Sequence, residues 1–116
     1  MNKPISLNQN RDFRRLYRRK PAFGHVLVTY AVKNRTGGLR VGITTSKKIG
    51  KAHERNRARR VIREAFRILM PTLGQNSGWD IVFVARTKTC SCPMQEVLYQ
   101  MKKQLAVLMK TNETSV

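Results

Sequence analysis

Leu39-Arg40-Val41-Gly42-Ile43-Thr44-Thr45-Ser46, a stretch of helical spacing from about His53 to Met70, and Trp79-Asp80-Ile81-Val82-Phe83-Val84-Ala85 follow one another, and this succession decides the fold. The first segment alternates like a half-exposed strand. In the second, Ala58, Val61, Ile62, Ala65, Phe66 and Leu69 recur at i, i+3, i+4 and i+7. That spacing predicts an amphipathic helix laid on a sheet and ended by Pro71. The third is almost continuously apolar, which predicts a central strand covered on both faces. Strand, helix and strand in this order predict parallel pairing of the two strands, with a crossover that general handedness rules make right-handed.

Working outward, Val26-Leu27-Val28-Thr29-Tyr30-Ala31-Val32 is rich in β-branched and aromatic residues and reads as a strand. The segment Asn34 to Gly38, with Gly37-Gly38, reads as a hairpin turn that makes this strand and Leu39–Ser46 antiparallel neighbours. Before it, Ser6-Leu7-Asn8-Gln9 fits a capping box with Ser6 as N-cap. A helix then carries Phe13, Leu16 and Tyr17 at helical spacing among Arg11, Arg14, Arg15, Arg18 and Arg19, and stops before Pro21. Downstream, Pro71 to Gly78 is a polar loop. Pro93 opens a last helix marked by Met94, Val97, Leu98, Met101, Leu105 and Leu108, with a frayed tail from Thr111 to Val116. The order αββαβα reads as an α+β two-layer sandwich, and residues 1–116 as a single domain.

Charge narrows the function. Lys and Arg number 24 against 6 Asp and Glu, a formal net charge of +18 in 116 residues. Such an excess repels itself in a compact chain and calls for a polyanionic partner. With 41% apolar residues the chain is not a disordered basic tail. The apolar run Ile81 to Ala85 is far too short to span a bilayer. Met1-Asn2-Lys3-Pro4 shows neither an apolar signal region nor a myristoylation pattern. The expected place is the cytoplasm, with no membrane partner. Cys90 and Cys92 are too close in sequence for an unstrained disulfide, and His25 and His53 do not complete zinc spacing with them. They read as reduced thiols, and no metal ligand set is expected in this chain.

The densest cationic stretch, Lys47 to Arg67, holds three lysines and six arginines against two glutamates. On its helix Asn56, Arg60, Arg63 and Arg67 fall at i, i+4, i+7 and i+11, away from the apolar stripe, and Arg55 and Arg59 widen the band. A solvated face normally alternates signs; like charges three and four apart destabilise a bare helix by a few tenths of a kcal/mol per pair, roughly. Arginine's planar fork bonds two phosphate oxygens at once, and the Lys47–Lys51 loop leads into a helix N-terminus, which also favours anions. Phe13, Tyr17 and Tyr30 make a second constellation. On pattern alone they are either core residues or a groove in which unpaired bases stack. A duplex-DNA reader would need a turn-linked recognition helix, a zipper or a zinc site, so single-stranded RNA fits better.

The chain offers no catalytic centre of its own. The carboxylates Asp12, Glu54, Glu64, Asp80, Glu96 and Glu113 include no close pair that suggests a two-metal site. The segment Gly42 to Lys47 lacks the glycine that a phosphate-binding loop needs before its lysine. No small-molecule substrate is expected.

The stretch Lys47-Lys48-Ile49-Gly50-Lys51-Ala52, the Arg55-Asn56-Arg57 triplet, Arg59-Arg60, Arg63-Glu64 and Phe66-Arg67 closely resembles the signature of the bacterial ribonuclease P protein component. Asp12-Phe13, Tyr17, Arg40-Val41-Gly42 and Asp80-Ile81-Val82-Phe83-Val84-Ala85-Arg86 extend the resemblance over most of the chain from about Asn10 to Arg86. The resemblance implies a subunit of a ribonucleoprotein that removes the 5′ leader from precursor tRNA, with magnesium and the chemistry held by the RNA. It implies that Arg55, Asn56, Arg57, Arg59, Arg60 and Arg63 dock on the catalytic RNA, with Lys47, Lys48, Lys51 and Arg67 completing that set. It places Phe13, Tyr17 and Tyr30, with Arg14, along a cleft for the single-stranded leader. It also implies a left-handed strand–helix–strand crossover against the general rule, and leaves room for one extra short strand near Phe23. From Thr87 onward the match is weak, and His53 stands where many relatives carry an aliphatic residue. Two other classes stay open on residues alone: a ribosomal or nucleoid structural protein, distinguished by binding without effect on tRNA processing, and a self-sufficient nuclease, which would cut RNA unaided.

Overall fold

In a computed structural model, residues 5–7, 9–73 and 78–114 are described. The elements are β1 (Ile5–Ser6), α1 (Asn10–Tyr17), β2 (Ala22–Phe23), β3 (Leu27–Lys33), β4 (Arg40–Thr44), α2 (Ala52–Leu69), β5 (Trp79–Ala85) and α3 (Met94–Thr114). Short 3-10 turns occupy Lys47–Ile49, Met70–Leu73 and Thr87–Cys90. The strands form one sheet in the order β1-β4-β5-β3-β2.

β5 is the centre, as its apolar run predicts. It pairs with β4 in parallel over Arg40–Thr44 and with β3 antiparallel over Leu27–Lys33. β4, α2 and β5 thus form the parallel crossover unit read from the sequence. The hairpin expectation for β3 and β4 fails, because β5 lies between them. A strand apolar on both faces gains most when both of its edges are also paired. The Asn34–Gly38 segment is therefore not a tight hairpin but a bridge across the end of β5. Asn34 shapes it: its side-chain oxygen accepts the Thr36 and Gly37 N–H groups at 3.1 Å each, and its backbone N–H donates to the Gly78 carbonyl at 2.7 Å.

The N-terminal reading is corrected too. Ser6 is not a helix cap: Ile5–Ser6 pair in parallel with Arg40–Val41, and the Leu7 N–H donates to the Val41 carbonyl at 2.9 Å. The backbone groups find partners on the open edge of β4, so helix α1 starts only at Asn10, with Gln9 in the capping position. The extra strand near Phe23 is present as β2, paired antiparallel with β3. α3 runs to Thr114, and the last two residues of the tail expected from Thr111 lie outside the described residues.

Alternation along the strands sorts the sheet into two faces. Leu27, Ala31, Ile81 and Phe83 meet α2 and α3 through Ala58, Ile62, Phe66, Val97, Met101 and Leu105 in the main core. Fully burying one such side chain stabilises the fold by about 1.5–3 kcal/mol. The other face belongs to α1, whose Leu16 is buried with Leu7, Val32 and Val82. α1 has only 8 residues, so it covers one end of its face and leaves the rest open.

Candidate nucleic-acid interface

The cationic surface begins where β4 ends. After the Lys47–Ile49 turn, Gly50 has φ +140°, where side chains are strained, and a Cβ there would lie 2.6 Å from a Glu54 carboxylate oxygen. That carboxylate accepts the Lys51 N–H at 3.0 Å and so caps α2. Arg55 donates to the Gly50 carbonyl at 2.8 Å. Glu54 and Arg55, both inside the basic stretch, thus shape the entry to the helix.

Along α2 the apolar stripe faces the sheet, and Asn56, Arg57, Arg60, Arg63 and Arg67 are exposed on the outer side. They are not equivalent. Arg59 donates to Asn56 Oδ1 at 3.3 Å, and Arg67 pairs with Glu64. The hydrogen bond from Arg67, with its charge, holds the Glu64 carboxyl below the usual range. Among the described residues, Arg57, Arg60, Arg63, Lys47, Lys48 and Lys51 form no ion pair, so their charges face solvent uncompensated.

The aromatic residues assemble on the opposite face of the sheet. Phe13 and Tyr17 of α1 have ring centroids 6.2 Å apart, and Tyr17 meets Tyr30 of β3 edge-on at 5.0 Å. Phe13 and Tyr30 are partly buried against the small α1 core. Tyr17 is 43% exposed, which makes it more than a core residue. Arg14, one residue after Phe13 on the same helix, is exposed. Gly42 sets the height of this cluster. A Cβ there would fall 3.0 Å from the Phe13 ring and 3.2 Å from Leu7 Cβ. Gly42→Ala is therefore expected to lift Phe13 off β4 and to cost about 1–3 kcal/mol in urea unfolding. Unchanged stability would mean that the ring swings clear without loss.

What fixes α1 on the sheet is a buried carboxylate. Asp80, the second residue of β5, is fully buried. Arg40 of β4 grips it with two bonds, Nε to Oδ1 at 2.8 Å and Nη2 to Oδ2 at 2.6 Å. Asn34 donates to Oδ1 at 2.7 Å, and Arg15 of α1 bonds Oδ2. Burial alone would raise the Asp80 carboxyl. The hydrogen bonds from Arg40 and Asn34, with the charges of Arg40 and Arg15, outweigh it and hold the group below the usual carboxylate range. Arg40 also lies 3.6 Å from Asp12. Asp80, set aside in the sequence as a carboxylate without a close partner for a two-metal site, is the tie between α1, β4 and the 34–38 bridge. The signal was available: a lone charge in an apolar central strand must be paired.

A second feature escaped the pattern reading. Phe23 of β2 is 68% exposed, and the Arg86 guanidinium lies over its ring at 4.5 Å. Among the described residues no group of three or more His, Cys, Asp or Glu could hold a metal ion. Cys90 and Cys92 are free thiols. No described helix is long and apolar enough to cross a membrane.

Fold and surface together define a basic α+β domain with a cationic helix on one side and exposed rings on the other. Comparison with known proteins assigns the class. The ribonuclease P family profile matches residues 1–109. The chain is 36% identical to the ribonuclease P protein component of Clostridioides difficile strain 630, over 99% of this chain and 97% of that one. It is 44% identical to that of Dehalococcoides mccartyi over 78% of this chain and 74% of the relative. Among solved structures, the Staphylococcus aureus RNase P protein superposes with TM-score 0.75 at 27% identity, covering 90% of this chain and 95% of that one. The RNase P protein from Thermotoga maritima gives 0.72 at 28% identity, covering 90% and 96%. This chain belongs to the bacterial ribonuclease P protein component family.

Proposed function

We propose that this chain docks on ribonuclease P RNA through the outer side of α2 and the Lys47–Lys51 segment, and holds the single-stranded 5′ leader of precursor tRNA over Phe13, Tyr17 and Tyr30. The observation that carries the reading is the division of labour between two surfaces. The uncompensated cations of α2 lie on one side of the sheet, and the ring cluster lies on the other. β4 and the Lys47–Ile49 turn lead from one to the other. A cationic helix suits a folded RNA read by its backbone, whereas exposed rings suit unpaired bases. The phosphodiester chemistry and its magnesium belong to the RNA. The protein replaces diffuse counterions, which lowers the magnesium needed for assembly and substrate capture. Its place of work is the cytoplasm, with its tRNA substrates.

The test is cleavage of a 5′-extended precursor tRNA by a bacterial ribonuclease P RNA at low magnesium and moderate salt, with and without the protein and with a protein-only control. Cleavage at the mature 5′ end is expected only when RNA and protein are combined. Protein that binds the RNA and leaves cleavage unchanged would overturn the subunit reading in favour of a structural role, and cleavage by protein alone would make it a nuclease. Phe13→Ala is expected to weaken binding of leader-bearing precursor about 5-fold or more relative to mature tRNA, the low end of the loss for one stacked base. Equal weakening for both RNAs would reduce Phe13 to a packing residue.

A further inference from the structure

The ring cluster does not end at Tyr30. Strand register carries it across the sheet: Phe23 sits opposite Val28, Val28 opposite Val84, and Val84 opposite Thr44. Residues opposite one another share a face, and Tyr30 lies two residues along β3 from Val28. Phe23 and Tyr30 therefore stand on the same side of the sheet as diagonal neighbours, about 7–8 Å apart along the strands. That is roughly two stacked nucleotides at about 3.4 Å each. Ala22, the neighbour of Phe23, turns the other way and packs against the main core. Phe23 is thus displayed by its strand, with more than two thirds of its surface in solvent.

Its surroundings are those of a base platform rather than of a protein contact. Arg86, the residue that follows β5, places its guanidinium over the ring. Lys47 and Lys48 follow β4, which runs parallel to β5, so they emerge at the same end of the sheet as Arg86. His25 precedes β3, which runs antiparallel to β5, and joins them there. No carboxylate occurs among Phe23, His25, Thr44, Lys47, Lys48 and Arg86. An exposed ring topped by a guanidinium, with Lys47 and Lys48 at the same end of the sheet beyond β3 and β5, matches an unpaired base whose phosphates run toward the lysines, since every base has a π-face and Arg and Lys bind phosphate.

We propose that Phe23 and Arg86 form a second stacking platform for unpaired RNA, about two nucleotides from the Tyr17–Tyr30 pair, that extends the leader track across β2. The proposal rests on the leader-binding reading of the Phe13–Tyr17–Tyr30 face. With the holoenzyme, affinities are measured for a series of precursor tRNAs whose leaders shorten one nucleotide at a time, and for mature tRNA. Phe23→Ala is expected to weaken binding about 5-fold for long leaders and not at all for mature tRNA. Its effect should vanish at a leader length about two nucleotides away from that for Tyr30→Ala, and Phe23→Trp should restore the affinity. If Phe13→Ala and Tyr30→Ala show leader-dependent losses while Phe23→Ala shows none at any length, the platform is overturned and the cleft stands. If none of the three does, both readings fall. A loss for Phe23→Ala that is equal on mature tRNA also overturns the platform. Because Phe23 is largely exposed, the truncated variant keeps its fold, which its urea midpoint checks.

Discussion

Asp80→Ala is expected to lower the stability of the isolated protein by about 3 kcal/mol in urea unfolding, the largest single-site effect outside the apolar core. Removing one partner of a buried ion pair costs about 3–5 kcal/mol, because the other charge is left without compensation. The low end applies, since the Arg40 and Arg15 side chains keep 23% and 40% of their surface in water. The loss is not only electrostatic. Arg15 holds α1, Arg40 holds β4, and Asn34 holds the bridge over β5, all through the same two oxygens. With the carboxylate gone, α1 keeps only its small apolar patch, and Phe13 and Tyr17 lose their fixed height above the sheet. The variant should therefore also lose discrimination between leader-bearing and mature tRNA. A midpoint within about 1 kcal/mol of the parent protein would show that apolar contacts alone hold α1.

The same node sets the acid limit of the fold. Asp80 is held below its unfolded value, so the folded state binds fewer protons there than the unfolded chain does. Its contribution is fully present above the ordinary carboxylate range, near pH 4, and is lost as pH falls through the lower folded value. In Asp80→Asn that part of the acid dependence should disappear, even where overall stability is lower. Urea midpoints of both proteins from pH 7 down to pH 3 make the comparison.

Which parts of this architecture were legible in the sequence follows from where the information lies. α2 and β5 write themselves in side-chain pattern: a stripe at helical spacing, and an apolar run too long to leave either face wet. Their parallel relation to β4 follows from chain order. β1 is two residues held by backbone bonds to β4, and backbone bonds leave no pattern in side chains. The insertion of β5 between β3 and β4 is a choice among long-range pairings, which a glycine-bearing turn at Gly37-Gly38 cannot report. The rings of Phe13, Tyr17 and Tyr30 were visible as residues but undecided between core and groove. Their exposure depends on α1 being short and on Gly42 lying beneath Phe13. Phe23, between Pro21 and Gly24, has no periodicity to mark it at all.

The double variant Arg57→Ala/Arg60→Ala is expected to weaken binding to ribonuclease P RNA on the order of 20- to 30-fold at physiological salt, as two lost phosphate contacts imply. The salt dependence is the decisive readout. Each phosphate contact, through the counterions it releases, contributes about 0.7–0.9 to the slope of log K against log salt, so the slope should fall by about 1.4–1.8. Near 1 M salt the two proteins should bind almost alike. A loss of the same size at every salt concentration would mean that the arginines act through shape or fold, although both are exposed and neither makes an ion pair among the described residues. Arg57→Lys/Arg60→Lys separates charge from geometry. It should keep the slope, because the charges remain, and still lose part of the affinity, because lysine cannot bond two phosphate oxygens in a plane. Arg67→Ala should cost less than either free arginine, since Glu64 already neutralises part of its charge. The exposed side of α2 is then not a uniform basic band but a graded one, strongest at the arginines with which no carboxylate pairs among the described residues.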